Sequence, residues 1–282
     1  MTIDSHHHFW RYDPAEYPWI SDSMGVLRRD FLPAELHREV DAAGIRGVVS
    51  VQARQTVDET RFLLHLAAAN DFVLGVVGWA PLVDPGVAEV LAELAADPKL
   101  RACRHVLQDE PDDEYMLRQD FNDGVRAVTA AGLVYDILIF ERHLPHALKF
   151  VDAHPDQIFV IDHIAKPRIR DGSFAVWRNG IRECARRPHV YCKVSGMVTE
   201  AHWQRWTQGD LLPYLDTVLD AFGPERLMFG SDWPVCLVAT GYGRWASLVA
   251  EYAARLGSAE RDRILGGTAA EAYGLEPGAS LQ

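Results

Sequence analysis

The chain has 282 residues, 48% of them hydrophobic and 24% charged, with a formal net charge of −12. This is the composition of a globular protein with a large core, and the length suits one big unit of alternating strands and helices. The acidic balance argues against a general nucleic-acid binder, whose surface must neutralise phosphates, but leaves room for a local basic pocket.

Strand-length apolar runs recur along the whole chain, each of the first seven followed by a helical pattern. The first run, Ile3–His8, leads into a long connection, Phe9 to Arg29, rich in Trp, Tyr and Pro. Connections of that length in compact domains are lids or packed loops. A helix is predicted over Pro33–Ala43. Strands Gly47–Gln52, Val73–Trp79, Arg101–Leu107 and Leu133–Ile139 alternate with helices Val57–Asn70, Gly86–Ala96, Asp120–Ala131 and Leu144–Ala153. Strand Ile158–His163, helix Ser173–Arg187, strand His189–Ser195, helix Asp210–Phe222 and strand Leu227–Asp232 complete the series. Near-continuous apolar strands alternating with amphipathic helices mean parallel β-structure covered by helices. Eight such units predict one closed (β/α)8 barrel spanning 1–282, with its site at the C-terminal ends of the strands.

No stretch approaches the roughly 20 apolar residues of a membrane helix. The start Met1-Thr2-Ile3-Asp4-Ser5 lacks a basic or apolar leader, so a cytoplasmic protein is expected. Cys103, Cys184, Cys192 and Cys236 sit in or beside apolar runs without CxxC spacing, as buried reduced thiols would.

Three strand ends carry chemistry. In Asp4-Ser5-His6-His7-His8, alternation predicts that Asp4, His6 and His8 share one face and Ser5 and His7 the other. Two imidazoles two residues apart at a barrel mouth suit a divalent metal or a substrate carbonyl oxygen. A tag remnant is the bland alternative, against which stand the shortness of the run and its native-looking flanks. His7 reads as a packing residue. In Leu227–Pro234 an apolar strand closes on Asp232, either a metal ligand and general base or merely a cap for the next helix. Gly230, two positions earlier, leaves space for a ligand. In Phe159–Pro167 the strand closes on adjacent Asp162 and His163, only one of which should point inward; the apolar pattern leaves open which.

The set Asp-x-His-x-His, Asp162-His163-x-x-Lys166-Pro167 and Gly230-Ser231-Asp232-Trp233-Pro234 resembles the amidohydrolase-2 family of the amidohydrolase superfamily, and within it the sugar-lactonase branch. Gln52, Arg104-His105-Val106-Leu107-Gln108 and Tyr135-Asp136 support the likeness, which covers nearly the whole chain. The resemblance implies hydrolysis of a sugar-acid lactone, L-fucono-1,5-lactone or a related aldonolactone, with Asp232 activating water. His6, His8 and His163 would polarise the carbonyl directly or through a metal. The fifth strand offers Asp136 where metal-binding relatives often offer His, and no bridging lysine is evident. At most one divalent ion, such as zinc, is therefore expected on His6, His8 and Asp232, weakly bound or dispensable.

Arg104, Gln52, His105, Lys166, Lys193, Trp79 and Trp233 are expected to hold the substrate. Arg104 could instead be a surface ion-pair partner, the lysines could be solvated, and for any single Trp core packing is the simpler use. The rival activities are a metal-dependent decarboxylase of the same family and a barrel that binds a small molecule without catalysis. The sequence leaves a homo-oligomer open.

Overall fold

The computed structural model describes residues 1–276. Eight parallel strands pair in sequence order: β1 (Ile3–His7), β2 (Gly47–Val51), β3 (Val73–Gly78), β4 (Leu100–His105), β5 (Val134–Ile137), β6 (Phe159–Ile161), β7 (Val190–Val194) and β8 (Leu227–Phe229). The ring closes just past β8: the Asp232 amide donates to the His6 carbonyl at 2.7 Å, and the His8 amide to the Trp233 carbonyl at 2.7 Å. The predicted barrel is therefore the fold. The six residues 277–282 of the expected single unit lie outside the described residues.

Helices α1 (Pro33–Ala42), α2 (Val57–Ala69), α3 (Val87–Leu94), α4 (Gln119–Ala130), α5 (Leu144–Asp152), α6 (Ala175–Ala185) and α7 (Gln208–Phe222) fall where the apolar periodicity put them. Thr56 caps α2 by accepting from the Glu59 amide at 3.1 Å. The apolar pattern marks no helix after the last strand. The structure adds α8 (Tyr242–Ala253) and two short helices, α9 (Ser258–Asp262) and α10 (Thr268–Ala272). Among the described residues, no helix is long and apolar enough to cross a membrane. The four cysteines are buried and free, as expected.

The Phe9–Arg29 connection is a packed loop. Trp10 is fully buried and lies edge-on to Phe31, with ring centroids 5.4 Å apart, and its indole N–H donates to the Arg29 carbonyl. Tyr17, Ile20 and Leu27 join the same core.

Two cores sit on either side of the sheet. The larger lies between strands and helices. The smaller fills the barrel, with Ile3, Val49, Val77, Ala102, Val134, Val160 and Met228 contributed by different strands and Tyr191 of β7 packed beside them. Ala269 and Ala272 of α10, followed by Tyr273 and Leu275, close it from below. The interior is therefore apolar at one end, and the polar groups gather toward the strands' C-terminal ends.

Tyr273 reaches past this apolar layer, and its hydroxyl donates to the Asp136 carboxylate, 2.9 Å from each oxygen. Hydrogen bonds to charged groups contribute about 1.5–3 kcal/mol. Tyr273→Phe should lower unfolding stability by about that amount. Chemical denaturation would measure it, and an unchanged stability would show that the phenol is not anchoring Asp136.

Candidate active site

A β-bulge sets the first strand end. Asp4 pairs with Val48 but His7 with Ser50, so β1 carries one extra residue against β2. A bulge resets the alternation of side chains. The expectation that Asp4 shares a face with His6 and His8 is therefore corrected. Asp4 turns to the helix side, where its carboxylate accepts from the Ser231 amide at 2.8 Å, the His6 amide at 3.1 Å and the Tyr242 hydroxyl at 3.1 Å. Burial pushes its pKa up to about 6 despite those donors. His7 also turns outward, to the Ser50 hydroxyl at 2.9 Å and the Phe9 ring. His6 and His8 face inward with their Nε2 atoms 3.3 Å apart.

The last strand end brings in Asp232, whose backbone takes a left-handed turn with φ 57°. Its Oδ1 lies 3.4 Å from His8 Nε2, 3.8 Å from His6 Nε2 and 3.9 Å from His163 Nε2. This carboxylate faces three imidazoles, and in the following turn the Cys236 amide donates to the Asp232 carbonyl instead, at 2.8 Å. Gly230 makes room for the protein and not for a ligand: a Cβ there would stand 2.8 Å from His6 Cβ and 3.1 Å from Ser195 Cβ.

The sixth strand end overturns the choice between Asp162 and His163, since both point inward. Extended backbone stops at Ile161, and His163, Ile164, Ala165 and Lys166 all have positive φ, between 43° and 61°. Such a left-handed run is costly for non-glycine residues and is held by its surroundings. The Lys166 amide closes it onto the His163 carbonyl at 2.8 Å, and the Trp177 indole donates to the Ile164 carbonyl at 2.7 Å. Strand alternation no longer applies once the chain has turned. His163 swings to Asp232, with Nδ1 2.9 Å from the Ser195 hydroxyl.

Beneath the imidazoles lies a layer of buried charge. Arg104, Asp136, Asp162 and Lys193 each stand two residues after an inward residue of the smaller core or, for Lys193, after Tyr191 packed against it. Asp162 Oδ2 accepts from Arg104 Nη1 at 2.8 Å, and its Oδ1 pairs with Lys193 Nζ at 3.0 Å. Lys193 also donates to Asp136 at 2.5 Å and approaches His6 Nδ1 at 3.2 Å. Arg104 Nη2 donates to the Gln52 side-chain oxygen at 3.0 Å and to its carbonyl.

Burial sets the protonation states. It lowers the His6 pKa well below the ordinary value and His163 to about 4, outweighing the nearby carboxylates, so both rings are neutral near pH 7. Burial alone would raise Asp232; His163, His8 and Lys166 together hold it below the usual carboxylate value. Asp162 stays ionised against its burial through Lys193, His6 and Arg104.

The donor set fits one divalent cation. His8 Nδ1 lies 2.8 Å from the Val51 carbonyl, which fixes the proton on that nitrogen and leaves a lone pair on Nε2. Ligands about 2.1 Å from one ion at tetrahedral angles stand about 3.4 Å apart, close to the spacings among His6, His8 and Asp232. A second cluster of potential ligands, His6, Asp162 and His163, shares His6, and both Asp162 oxygens already face protein cations.

The remaining candidates divide by surroundings. Gln52 is fully buried and engaged with Arg104, its amide donating to the Arg104 carbonyl at 3.3 Å. His105 accepts from the Trp79 indole at 3.3 Å, meets Glu110 at 2.7 Å and stacks on Tyr115. It thereby ties down the acidic segment 109–114 that follows β4. Trp233 is buried edge-on to Phe31 with centroids 5.2 Å apart, while Trp79 and Lys166 keep partial exposure. Sequence reasoning missed Ser195, Tyr273 and the carboxylate role of Asp136. The signal for Asp136 was its place two residues past inward Val134.

The amidohydrolase family model matches residues 3–275. An L-fucono-1,5-lactonase of Burkholderia multivorans is 48% identical over 98% of this chain and 96% of its own length. A Burkholderia ambifaria protein of the same name is 37% identical over 98% and 96%. The crystal structure of a B. multivorans amidohydrolase with bound zinc superposes with a TM-score of 0.94 at 48% identity, covering 98% of this chain and all of that one.

Gly196 follows Ser195 with φ 61°, and a Cβ there would stand 2.5 Å from His163 Nδ1. Gly196→Ala should push the imidazole off Ser195 while costing about 1–3 kcal/mol of strain. Imidazole nitrogen NMR would register the lost hydrogen bond. An unchanged His163 signal in a folded variant would mean that the loop yields instead.

Proposed function

The chain belongs to the amidohydrolase family, and from that premise we propose that it hydrolyses a sugar-acid lactone to the free aldonic acid, with L-fucono-1,5-lactone or a related aldonolactone as substrate. One observation carries the mechanism: an ionised, buried Asp232 with a single oxygen within 4 Å of three imidazole nitrogens. The names of its relatives supply the substrate class and favour the hydrolase over the decarboxylase and the non-catalytic barrel.

Opening an ester ring needs an activated water and a place for negative charge. Asp232 accepts a proton from water as the water oxygen bonds to the lactone carbonyl carbon. The carbonyl electron pair moves onto its oxygen. With the Ser195 hydroxyl as donor to His163 Nδ1, the ring proton sits on Nε2, and we assign that neutral N–H to the oxyanion. When the carbonyl reforms, the ring C–O bond breaks, and protonated Asp232 returns its proton to the departing oxygen as a hydroxyl. One water is consumed, and the carboxylate is free for the next cycle. A single zinc, weakly held or dispensable, would be carried by His6, His8 and Asp232 and would supply Lewis-acid polarisation of the carbonyl when bound.

Lys166, partly exposed at the mouth, is the group we assign to the sugar hydroxyls, while Trp79, whose indole N–H is engaged by His105, can offer the sugar only its ring face. Arg104, Gln52 and Lys193 serve in this reading by positioning His6 and Asp162, because they are buried and the bonds they make run to protein groups.

A panel of aldonic-acid lactones, followed by acid release in weak buffer, tests the substrate. Turnover confined to aromatic or pyrone lactones would defeat the sugar assignment. Asp232→Asn should cut turnover by about 10²–10⁴-fold with the circular dichroism spectrum unchanged. If the side chain were only a helix cap, Asn would serve as well, and activity would survive.

A further inference from the structure

His6 is approached by protein cations on both ring nitrogens. Lys193 Nζ lies 3.2 Å from Nδ1, and an Arg104 Nη1 N–H is directed at Nε2 at 3.4 Å. A neutral imidazole has one lone pair, so two arrangements exist. If the lone pair is on Nε2, Arg104 donates into it. If it is on Nδ1, Lys193 donates into it, and Nε2 carries the proton, directed at His8 Nε2 3.3 Å away. In neither arrangement is the Nε2 lone pair of His6 free. His8 differs, because its Nδ1 proton goes to the Val51 carbonyl and its Nε2 lies open toward Asp232.

We propose that Arg104 acts as a built-in competitor for metal at His6, so that this residue sets how weakly the His6–His8–Asp232 site holds zinc. The inference rests on the reading of those three residues as the metal site. Arg104 is well placed for the role. It is buried and fixed by Asp162 at 2.8 Å and by Gln52, so its guanidinium stays against the ring. Ligation through His6 Nε2 requires the ring proton on Nδ1, where Asp162 Oδ1 lies 3.3 Å away to receive it, and requires the Arg104 N–H to give up that lone pair. Groups that hold a ligating histidine ordinarily raise metal affinity by fixing its tautomer. Here the partner on the ligating nitrogen is a donor and opposes the metal in the same position.

The test is zinc affinity of the metal-free protein, measured by competition with a chromophoric chelator, so that no activity is needed. Arg104→Met removes both the charge and the directed N–H. Arg104→Lys keeps a charge for Asp162 but loses the fork that reaches His6 and Gln52 together. Both variants should bind zinc more tightly than wild type, Arg104→Met by about tenfold or more, the scale on which groups behind a ligand tune affinity. If loss of the buried ion pair keeps Arg104→Met from folding, Arg104→Lys decides. A folded variant that binds zinc no more tightly than wild type overturns the competition. His8→Asn separates the underlying reading: it should abolish zinc binding in wild-type and Arg104→Lys backgrounds alike. If zinc binding survives His8→Asn, the assigned site, and not the competition, is at fault.

Discussion

The site depends on four charges buried together at one level of the barrel. Arg104, Asp136, Asp162 and Lys193 are between 0% and 3% exposed and come from β4, β5, the residue just past β6, and β7. Each neutralises a neighbour: Arg104 with Asp162, and Lys193 with both Asp162 and Asp136. Removing one partner of such a pair leaves an uncompensated charge, a loss of about 3–5 kcal/mol. The layer has strong reason to keep its geometry, and His6 sits on it. The ring position of a mouth residue is thus set by groups on the far side of the barrel. Through Asp136 and Tyr273 the same chain of contacts runs down to the segment after α10. Stability at the closed end and geometry at the open end are one network.

Above this layer the site is built from departures from regular strand. The bulge in β1 turns Asp4 out and His6 in. The left-handed turn after Ile161 allows two adjacent residues, Asp162 and His163, to face the same cavity. Asp232 adopts a left-handed conformation where the barrel closes. Backbone of this kind costs about 1–3 kcal/mol per residue and persists only where its surroundings over-determine it. Those surroundings are visible: Trp177 holds the Ile164 carbonyl, and the His6 carbonyl accepts the Asp232 amide. Asp4 adds a brace from the outside, accepting backbone donors from both β1 and the segment after β8. Buried carboxylates bonded to amides from two segments fix their relative position, which here means the position of His6 relative to Asp232.

These departures also explain what the sequence disclosed and what it concealed. Eight apolar runs separated by amphipathic helices specify a parallel barrel, because both periods are local properties. His6, His8 and Asp232 were readable because strand ends in such a barrel converge whatever the loops do. Asp4 was placed on the wrong face because a one-residue bulge leaves no local signature in Ile3–His8. The choice between Asp162 and His163 was posed as exclusive because alternation was assumed to continue where the chain had already turned. Arg104 looked available because nothing in the sequence brings Asp162 to it across two strands. The helices after β8 escaped because Tyr242–Ala253 follows an irregular stretch, and the two beyond it are only five residues each.

The charge balance connects the layer to the chemistry above it. Asp136, Asp162 and Asp232 are three carboxylates, and Arg104 and Lys193 are two cations, so with all ionised the buried set carries one net negative charge. Burial pushes Asp136 up to about 6, which leaves it mostly ionised near neutral pH. The third carboxylate is Asp232, whose oxygen faces His6, His8 and His163; burial keeps His6 and His163 neutral. A carboxylate outside a direct ion pair keeps a lone pair open to water, whereas one bonded to Arg104, as Asp162 is, has it occupied. Asp162, bonded to two cations, braces the site; Asp232 makes no direct ion pair with a lysine or arginine among the described residues, although Lys166 with His163 and His8 holds its pKa down, and it is the group placed to take a proton. The same imbalance gives the site one charge's worth of attraction for a metal, against which the directed Arg104 N–H stands.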